Sequence, residues 1–122
     1  MSKRVLVVDD AMFMRDILRD IFASEGFEVV GEASNGVEAV EKYKELKPDL
    51  VTMDLVMPLK NGIEAMREIL AFDAKAAVVV CSALEQEKLA IEAIEAGAMD
   101  YIVKPPRAED VLAVVKKVFL AA

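Results

Sequence analysis

The chain has 122 residues, of which 56% are hydrophobic, and a formal net charge of −7 from 22 acidic and 15 basic residues. This length and hydrophobic content fit a single domain with one core over residues 1–122 and exclude a disordered chain. The scattered basic residues argue against direct nucleic-acid binding, and the absence of histidine excludes histidine-dependent nucleophilic catalysis and histidine metal ligands.

Short apolar segments alternate with amphipathic segments along the chain. Strands are predicted at residues 5–8, 27–33, 50–53, 76–81 and 101–103. Helices are predicted at residues 11–22, 35–46, 61–72 and 85–96, and a fifth helix is predicted to begin at Pro105-Pro106. This alternation predicts an α/β fold with five helices around a doubly wound, five-stranded parallel sheet in the flavodoxin-like order 2-1-3-4-5.

Several predicted helices carry recognisable end signals. Asn35 and Asn61 are each followed three residues later by glutamate, which is the spacing of a capping box. In the last helix, acidic residues 109–110 fall in the predicted first turn, and Lys116 and Lys117 fall in the predicted last turn. Both placements would complement the helix dipole.

Further features predict a cytoplasmic protein that does not enter a membrane. Cys81 is the single cysteine and lies in an apolar run, as expected for a buried thiol in a reducing compartment. The chain start has only four consecutive apolar residues before Asp9, too few for a signal peptide. No apolar stretch approaches the length of about 18 residues that spans a membrane.

The segment 50–58 places one carboxylate within an otherwise apolar stretch. Residues 50–53 have the pattern of a strand buried on both faces, Asp54 follows them, and Pro58 ends the segment. Because an uncompensated buried carboxylate is costly, Asp54 is predicted to lie at the carboxyl end of a central strand, in a solvated crevice. Open α/β sheets bind their ligands at that position.

Polar side chains also follow the other strands predicted to surround Asp54. The first strand ends at Asp9-Asp10, the fourth at Ser82 and the fifth at Lys104. Because parallel strands end at the same edge of a sheet, these side chains are predicted to ring one pocket. Carboxylate oxygens suit Mg²⁺, and Asp54 could then act as a nucleophile toward phosphorus while the hydroxyl and ammonium contact phosphoryl oxygens.

Each of these residues also has an ordinary structural interpretation. Asp9 or Asp10 could cap the first helix, and Ser82 has the spacing of a capping box with Glu85. Taken alone, capping is the commoner role for such a serine, and Lys104 alone would be an ordinary solvated lysine. The joint placement of these groups at four strand ends is what favours a functional site.

From residue 3 to residue 119, the chain resembles the receiver domains of response regulators. The residues that carry this resemblance are Asp9-Asp10, Asp54 with Pro58, Asn61-Gly62, Ser82-Ala83, Gly97-Ala98 and Lys104-Pro105. Segments 8–15, 41–44 and 51–54 resemble in particular the stand-alone chemotaxis regulators of the CheY type.

The resemblance implies a role for each residue of the pocket. Asp54 would be the phosphoacceptor, with Ser82 and Lys104 contacting the phosphate and Ser82 and Tyr101 forming the switch. The Mg²⁺ ligands would be Asp9, Asp10, Asp54 and the main-chain carbonyl of Val56. In the family, the positions two past the acceptor and two past the serine tune phosphoryl lifetime, and here they are Val56 and Leu84.

The implied function is a monomeric two-component response regulator rather than an enzyme acting on other molecules. It would take phosphate from a sensor histidine kinase, assist its own phosphorylation and dephosphorylation, and bind an output target, with the flagellar motor switch and a phosphatase as candidate partners. A receiver of another pathway, or one cut from a longer regulator, remains an alternative. An aspartyl-nucleophile phosphatase would need an acid where Val56 stands, and a pseudo-receiver should have lost part of the polar site.

Overall fold

Strands and helices alternate throughout the computed structural model, which describes residues 2 to 121. The strands are β1 (Arg4–Val8), β2 (Glu28–Ala33), β3 (Leu50–Asp54), β4 (Val78–Ser82) and β5 (Asp100–Val103). The helices are α1 (Met12–Ser24), α2 (Gly36–Leu46), α3 (Gly62–Phe72), α4 (Glu87–Ala96) and α5 (Ala108–Ala121), and a 3₁₀ turn at Leu84–Gln86 precedes α4.

The five strands form one parallel sheet in the order β2-β1-β3-β4-β5, which confirms the predicted doubly wound fold. Every residue of β3 is buried, as its apolar sequence predicts for a central strand. None of the helices in residues 2–121 combines the length and apolarity that crossing a membrane requires.

Side chains that alternate along each strand build two hydrophobic layers, one on each face of the sheet. On β1, Leu6 and Val8 pack with α2, α3 and α4, whereas Val5 and Val7 pack with α1 and α5. Leu50 of β3 also faces α1 and α5, and Asp54 falls on the same alternation. Helices therefore cover both faces of the sheet, and the polar residues lie at the edge formed by the carboxyl ends of the strands.

The capping prediction for α2 and α3 is confirmed at both asparagines. The side chain of Asn35 accepts a hydrogen bond from the Glu38 N–H at 2.8 Å, and Asn61 accepts one from the Glu64 N–H at 2.9 Å. Only the Asn61 pair closes the full box, with Glu64 accepting from the Asn61 N–H at 3.3 Å. Glu38 instead accepts from the main-chain N–H of Ser34 at 2.8 Å.

The alternative role of Ser82 as a capping-box residue is not found in the structure. Ser82 is the last residue of β4, is 2% exposed, and caps neither the 3₁₀ turn nor α4. The Ala83 N–H donates instead to the side chain of Gln86 at 2.9 Å, and α4 begins at Glu87 rather than at residue 85. Because Ser82 remains in the strand, its hydroxyl is not committed to the helix end.

The last helix also differs from its prediction. It begins at Ala108, two residues after the proline pair, with Glu109 and Asp110 in its first turn as expected. It continues to Ala121, so Lys116 and Lys117 lie before the last turn, which contains no basic residue.

Candidate functional site

Three carboxylates meet at the carboxyl ends of β1 and β3. Asp9, Asp10 and Asp54 each contribute an oxygen to a cluster in which these atoms lie within 4.8 Å of one another. Asp9 is 1% and Asp54 3% exposed, whereas Asp10 is exposed. The pairing of Val8 with Met53 explains the cluster, because it brings the next residues of the two neighbouring strands side by side.

The ammonium group of Lys104 bridges two of these acids. Its Nζ lies 2.8 Å from Asp9 Oδ2 and 2.9 Å from Asp54 Oδ1. Lys104 follows β5 and its main-chain N–H donates to the Ser82 carbonyl at 2.8 Å, so the side chain reaches across the end of β4 to the acids. The predicted convergence of Asp9, Asp54 and Lys104 is therefore present in the structure.

Burial and charge shift the proton affinities of this cluster. Burial raises the pKa of Asp54 from its ordinary value of 3.8 to about 6, with the Asp9 carboxylate adding to the increase and Lys104 opposing it. For Lys104, burial acts to lower the pKa, but its contacts with Asp9 and Asp54 outweigh burial and raise it. A cation in the pocket thus favours the ionised form of Asp54.

Asp9 is held by several contacts besides Lys104. Its Oδ1 accepts a hydrogen bond from the Ala11 N–H at 2.9 Å, and its own N–H donates to the Ala33 carbonyl of β2 at 3.0 Å. The N-cap residue of α1 is Ala11, which offers no side-chain cap. Asp9 therefore stabilises the turn that leads into α1, and this local role coexists with its place in the cluster.

Two glycines allow the loop after Asp54 to fold back beside it. A Cβ on Gly62 would lie 2.0 Å from the main-chain oxygen of Asp54, and a Cβ on Gly36 would lie 2.2 Å from that of Lys60. The Gly62 N–H donates to the Leu55 carbonyl at 3.0 Å. Asn61-Gly62 was predicted as a turn, but the close approach at Gly36 has no signal in a single sequence.

Arg15 is a residue that the sequence pattern did not identify. Arg15 is a charged residue of α1, yet it donates to the main-chain carbonyl of Asp9 at 2.7 Å and pairs with Glu32 at 3.1 Å. Its side chain is only 16% exposed. The sequence around an arginine on a polar helix face does not predict such contacts, because the partner residues are brought beside the helix only by the fold.

Ser82 and Tyr101 lie on either side of one depression next to the cluster. This depression has a volume of about 230 Å³ and is also lined by Leu84, Glu87 and Val103. Ser82 is buried, whereas Tyr101 is 47% exposed. There is thus space beside Ser82 that an aromatic side chain could enter.

The acidic cluster fits a hard divalent cation. Asp9 Oδ2 is buried and lies 2.8 Å from the Lys104 ammonium, so a bound cation would share this oxygen with Lys104. Carboxylate oxygens with an open, solvated side are the donor set that Mg²⁺ prefers. The chemistry of the three acids therefore agrees with the magnesium prediction, while the Val56 carbonyl as a ligand stays a prediction.

Comparisons with known proteins agree on one family. The model of the response regulator receiver domain matches residues 5–116. The chemotaxis protein CheY of Thermotoga maritima is 58% identical over 118 residues, covering 97% of this chain and 98% of the relative. CheY of Bacillus subtilis is 55% identical over 117 residues, covering 96% and 98%.

Solved structures show the same similarity in three dimensions. The CheX-CheY-BeF3-Mg+2 complex from Borrelia burgdorferi contains a chain that is 42% identical, with a TM-score of 0.91, over 96% of this chain and 89% of that one. The response regulator domain of Thermotoga maritima CheB is 43% identical, with a TM-score of 0.85, over 99% and 96%.

Proposed function

The chain belongs to the response regulator receiver domain family, and we propose that Asp54 is the residue that accepts the phosphoryl group. It is a CheY-like response regulator of two-component chemotaxis signalling, and hence a signalling protein. The observation that carries the assignment of Asp54 is its position: a 3% exposed carboxylate at the end of the central strand, 2.9 Å from the ammonium of Lys104.

The proposed metal ligands are the carboxylates of Asp9, Asp10 and Asp54 and the main-chain carbonyl of Val56. The cluster of three acids, whose ligand oxygens lie within 4.8 Å of one another, supports this assignment. When bound, Mg²⁺ would supply positive charge that screens the acids from one another and attracts phosphoryl oxygens.

The chemical step requires one bond to form and one to break. An oxygen of the Asp54 carboxylate bonds to phosphorus while the bond from phosphorus to the imidazole nitrogen of the kinase phosphohistidine breaks. The electron pair stays on the imidazole, which takes a proton. Lys104 pairs with one phosphoryl oxygen and Ser82 donates a hydrogen bond to another, so both stabilise charge during transfer. To end the signal, a water oxygen bonds to phosphorus while the bond from phosphorus to the Asp54 oxygen breaks, which releases inorganic phosphate and a proton and restores the carboxylate.

Phosphorylation is proposed to switch the surface around β5. Ser82 has no capping bond to break, so it is free to move toward the phosphoryl group. That movement would enlarge the depression that Ser82 shares with Tyr101, and the half-exposed ring could then turn inward. The rotamer of Tyr101 would thereby report the state of Asp54 to a partner.

The proposed partners follow from the family. They are a sensor histidine kinase as donor, a phosphatase, and an output target that recognises the switched surface, with the flagellar motor switch as the candidate. The similar chain in a complex with CheX supports a regulatory partner that approaches this fold. We propose that residues 1–122 act as one monomeric receiver domain in the cytoplasm.

Replacement of the acceptor tests this function directly. Asp54→Asn should abolish incorporation of labelled phosphate from acetyl phosphate or a phosphorylated kinase, because an amide oxygen is a poor nucleophile. Asp20→Asn is the matched control, since Asp20 is an exposed aspartate on α1 that, among residues 2–121, pairs with Arg19. Incorporation by the Asp54 variant at the wild-type rate would overturn the assignment.

A further inference from the structure

We propose that Arg15 is a positioning residue for the metal site, which it serves by fixing the peptide between Asp9 and Asp10. The proposal rests on the function proposed above, because it concerns the Mg²⁺ affinity of the same acids. Within residues 2–121, Arg15 hydrogen-bonds to the main-chain carbonyl of Asp9 and to the Glu32 side chain, and not to the carboxylates of the cluster.

The contacts of Arg15 tie the turn after β1 to β2. Its Nη1 donates to the carbonyl oxygen of Asp9 at 2.7 Å, and its Nε donates to Glu32 Oε1 at 3.1 Å. Glu32 lies on β2 and pairs in register with Val7 of β1. Lys42 of α2 donates to the main-chain carbonyl of Glu32, so the anchor of Arg15 is itself held.

Asp10 depends on this arrangement more than the other two acids do. Lys104 pairs with Asp9 and Asp54, but within residues 2–121 no cation pairs with Asp10, which is exposed. No ion pair among these residues orients the Asp10 side chain, so its position depends more on the main chain that carries it. The carbonyl that Arg15 holds belongs to the peptide bond that begins Asp10, so losing the contact frees that peptide to rotate.

Charge and positioning predict opposite effects of removing Arg15. A positive charge beside an acidic cluster opposes the binding of a cation, so neutralising it would tighten Mg²⁺ binding if charge alone mattered. Loss of the hydrogen bond to Asp9 would weaken Mg²⁺ binding, because contacts that orient metal ligands contribute about 10- to 100-fold to the affinity for the metal. The direction of the change in Mg²⁺ affinity therefore distinguishes the charge effect from the positioning effect.

The first experiment compares two arginines of the same helix by calorimetric titration with Mg²⁺. Arg15→Gln should bind Mg²⁺ about tenfold more weakly than the wild type. Arg19→Gln is the matched control: Arg19 also pairs with Glu32, at 3.4 Å, but contacts neither Asp9 nor Asp10. It should bind Mg²⁺ as tightly as the wild type or slightly more tightly.

Two further variants separate positioning from a general structural role. Arg15→Lys keeps the charge but cannot bridge Asp9 and Glu32 with a rigid fork, so its affinity should also fall. In a double-mutant cycle with Asp10→Ala, the effect of Arg15→Gln should largely disappear, because Arg15 acts through Asp10. Unfolding midpoints measured with chelator identify any variant that has lost its fold.

The possible results distinguish failure of the proposed role of Arg15 from failure of the proposed metal site. Affinity in Arg15→Gln that equals or exceeds the wild type, an equal loss in Arg19→Gln, or full additivity with Asp10→Ala would each overturn the role of Arg15 while leaving the metal site in place. A wild-type protein that does not bind Mg²⁺ would overturn the metal site and the role of Arg15 together.

Discussion

Burial of Asp54 has a measurable consequence for stability. Its pKa is raised from 3.8 to about 6 in the folded chain, chiefly by burial. Between these values the folded protein binds a proton that the unfolded protein has released, so stability falls as pH rises through this window and is lowest above it. Lys104 reduces this cost without removing it.

Asp54→Asn should therefore stabilise the protein in the absence of Mg²⁺ at pH 7 to 8. The expected gain in the free energy of unfolding is about 1 kcal/mol, after allowance for solvent screening in a partly open pocket. The gain should shrink as pH falls from 6 toward 4, because Asp54 becomes protonated in the wild type. Chemical denaturation at several pH values measures it, and a difference that does not depend on pH would contradict the shifted pKa.

Thr52 is a second buried polar residue, and it has no assigned role. It is fully buried on β3, in register with Val7 and Val79, and its Oγ1 has no hydrogen-bond partner within residues 2–121. Replacing an unsatisfied hydroxyl by a methyl group of similar size removes a desolvation cost of about 1 to 3 kcal/mol.

Thr52→Val should accordingly raise the free energy of unfolding by about 1 kcal/mol, measured by urea denaturation with an unchanged slope. Val79→Thr on the neighbouring strand is the matched reverse change and should destabilise the protein. A loss of stability in Thr52→Val would show that the hydroxyl makes a bond to a buried water.

At the residue scale, the sequence predicted the groups that end strands. Asp9, Asp54 and Lys104 could be placed together because parallel strands share one edge. Arg15 and Gly36 could not be found in this way, because their importance lies in contacts with a loop and a strand that only the packed structure brings near. The alternative interpretation of Lys104 as an ordinary solvated lysine does not hold, because its ammonium contacts Asp9 and Asp54.

At the scale of elements, the loops after β3 and β4 shape the mouth of the site. Each loop carries an apolar side chain two residues past the polar one: Val56, 52% exposed, and Leu84, 77% exposed. Neither side chain can orient a water molecule by hydrogen bonding, and both can exclude one. If Asp54 is the phosphoacceptor as proposed, hydrolysis of its acyl phosphate requires a water molecule in line with the bond between phosphorus and the Asp54 oxygen.

The Val56→Asn/Leu84→Glu double variant should lose phosphate faster than the wild type. Orientation of the attacking water by a polar group is worth up to about a hundredfold, and less is expected at an open pocket mouth. The measurement loads the protein with labelled phosphate, removes the donor and follows the loss of label. The matched control is Ile91→Asn, an exposed apolar residue of α4 away from the pocket mouth. Equal rates in wild type and double variant would show that these loops do not set the lifetime.

Element boundaries were predictable where the cap lies within the segment itself. Asn61 with Glu64 and Asn35 with Glu38 report the starts of α3 and α2 through contacts only three residues apart. The start of α4 was not predictable from the local pattern. Ser82 and Glu85 have the spacing of a capping box, but Ser82 pairs with Val103 of β5 and stays in the sheet. The Ala83 N–H donates to the Gln86 side chain instead.

At the scale of the whole molecule, the acidic cluster would couple the proposed cation binding to folding. The unfolded chain separates Asp9-Asp10 from Asp54 by more than forty residues, whereas the folded chain brings their carboxylate oxygens within 4.8 Å of one another. A ligand that binds only the folded state stabilises it in proportion to the logarithm of its concentration above Kd. The order of the sheet therefore brings the mutually repelling acids together at the proposed cation site.

Millimolar Mg²⁺ should raise the melting temperature of the wild type, and Asp10→Ala should show a much smaller increase. At about 100 times Kd, the stabilisation amounts to about 2.7 kcal/mol. Differential scanning calorimetry measures the shift, and Asp20→Asn should respond as the wild type does. A melting temperature of the wild type that is indifferent to Mg²⁺ would contradict the cation site.

The location of the phosphoryl group is the most direct test of the central claim, that the buried carboxylate of Asp54 accepts phosphate. The wild-type protein is incubated with acetyl phosphate and Mg²⁺, the acyl phosphate is trapped by borohydride reduction, and the modified residue is identified by tandem mass spectrometry. The modification is predicted at Asp54 alone, and it should disappear when Mg²⁺ is chelated. A modification at Asp9, at Asp10 or at a residue outside the cluster would contradict the account.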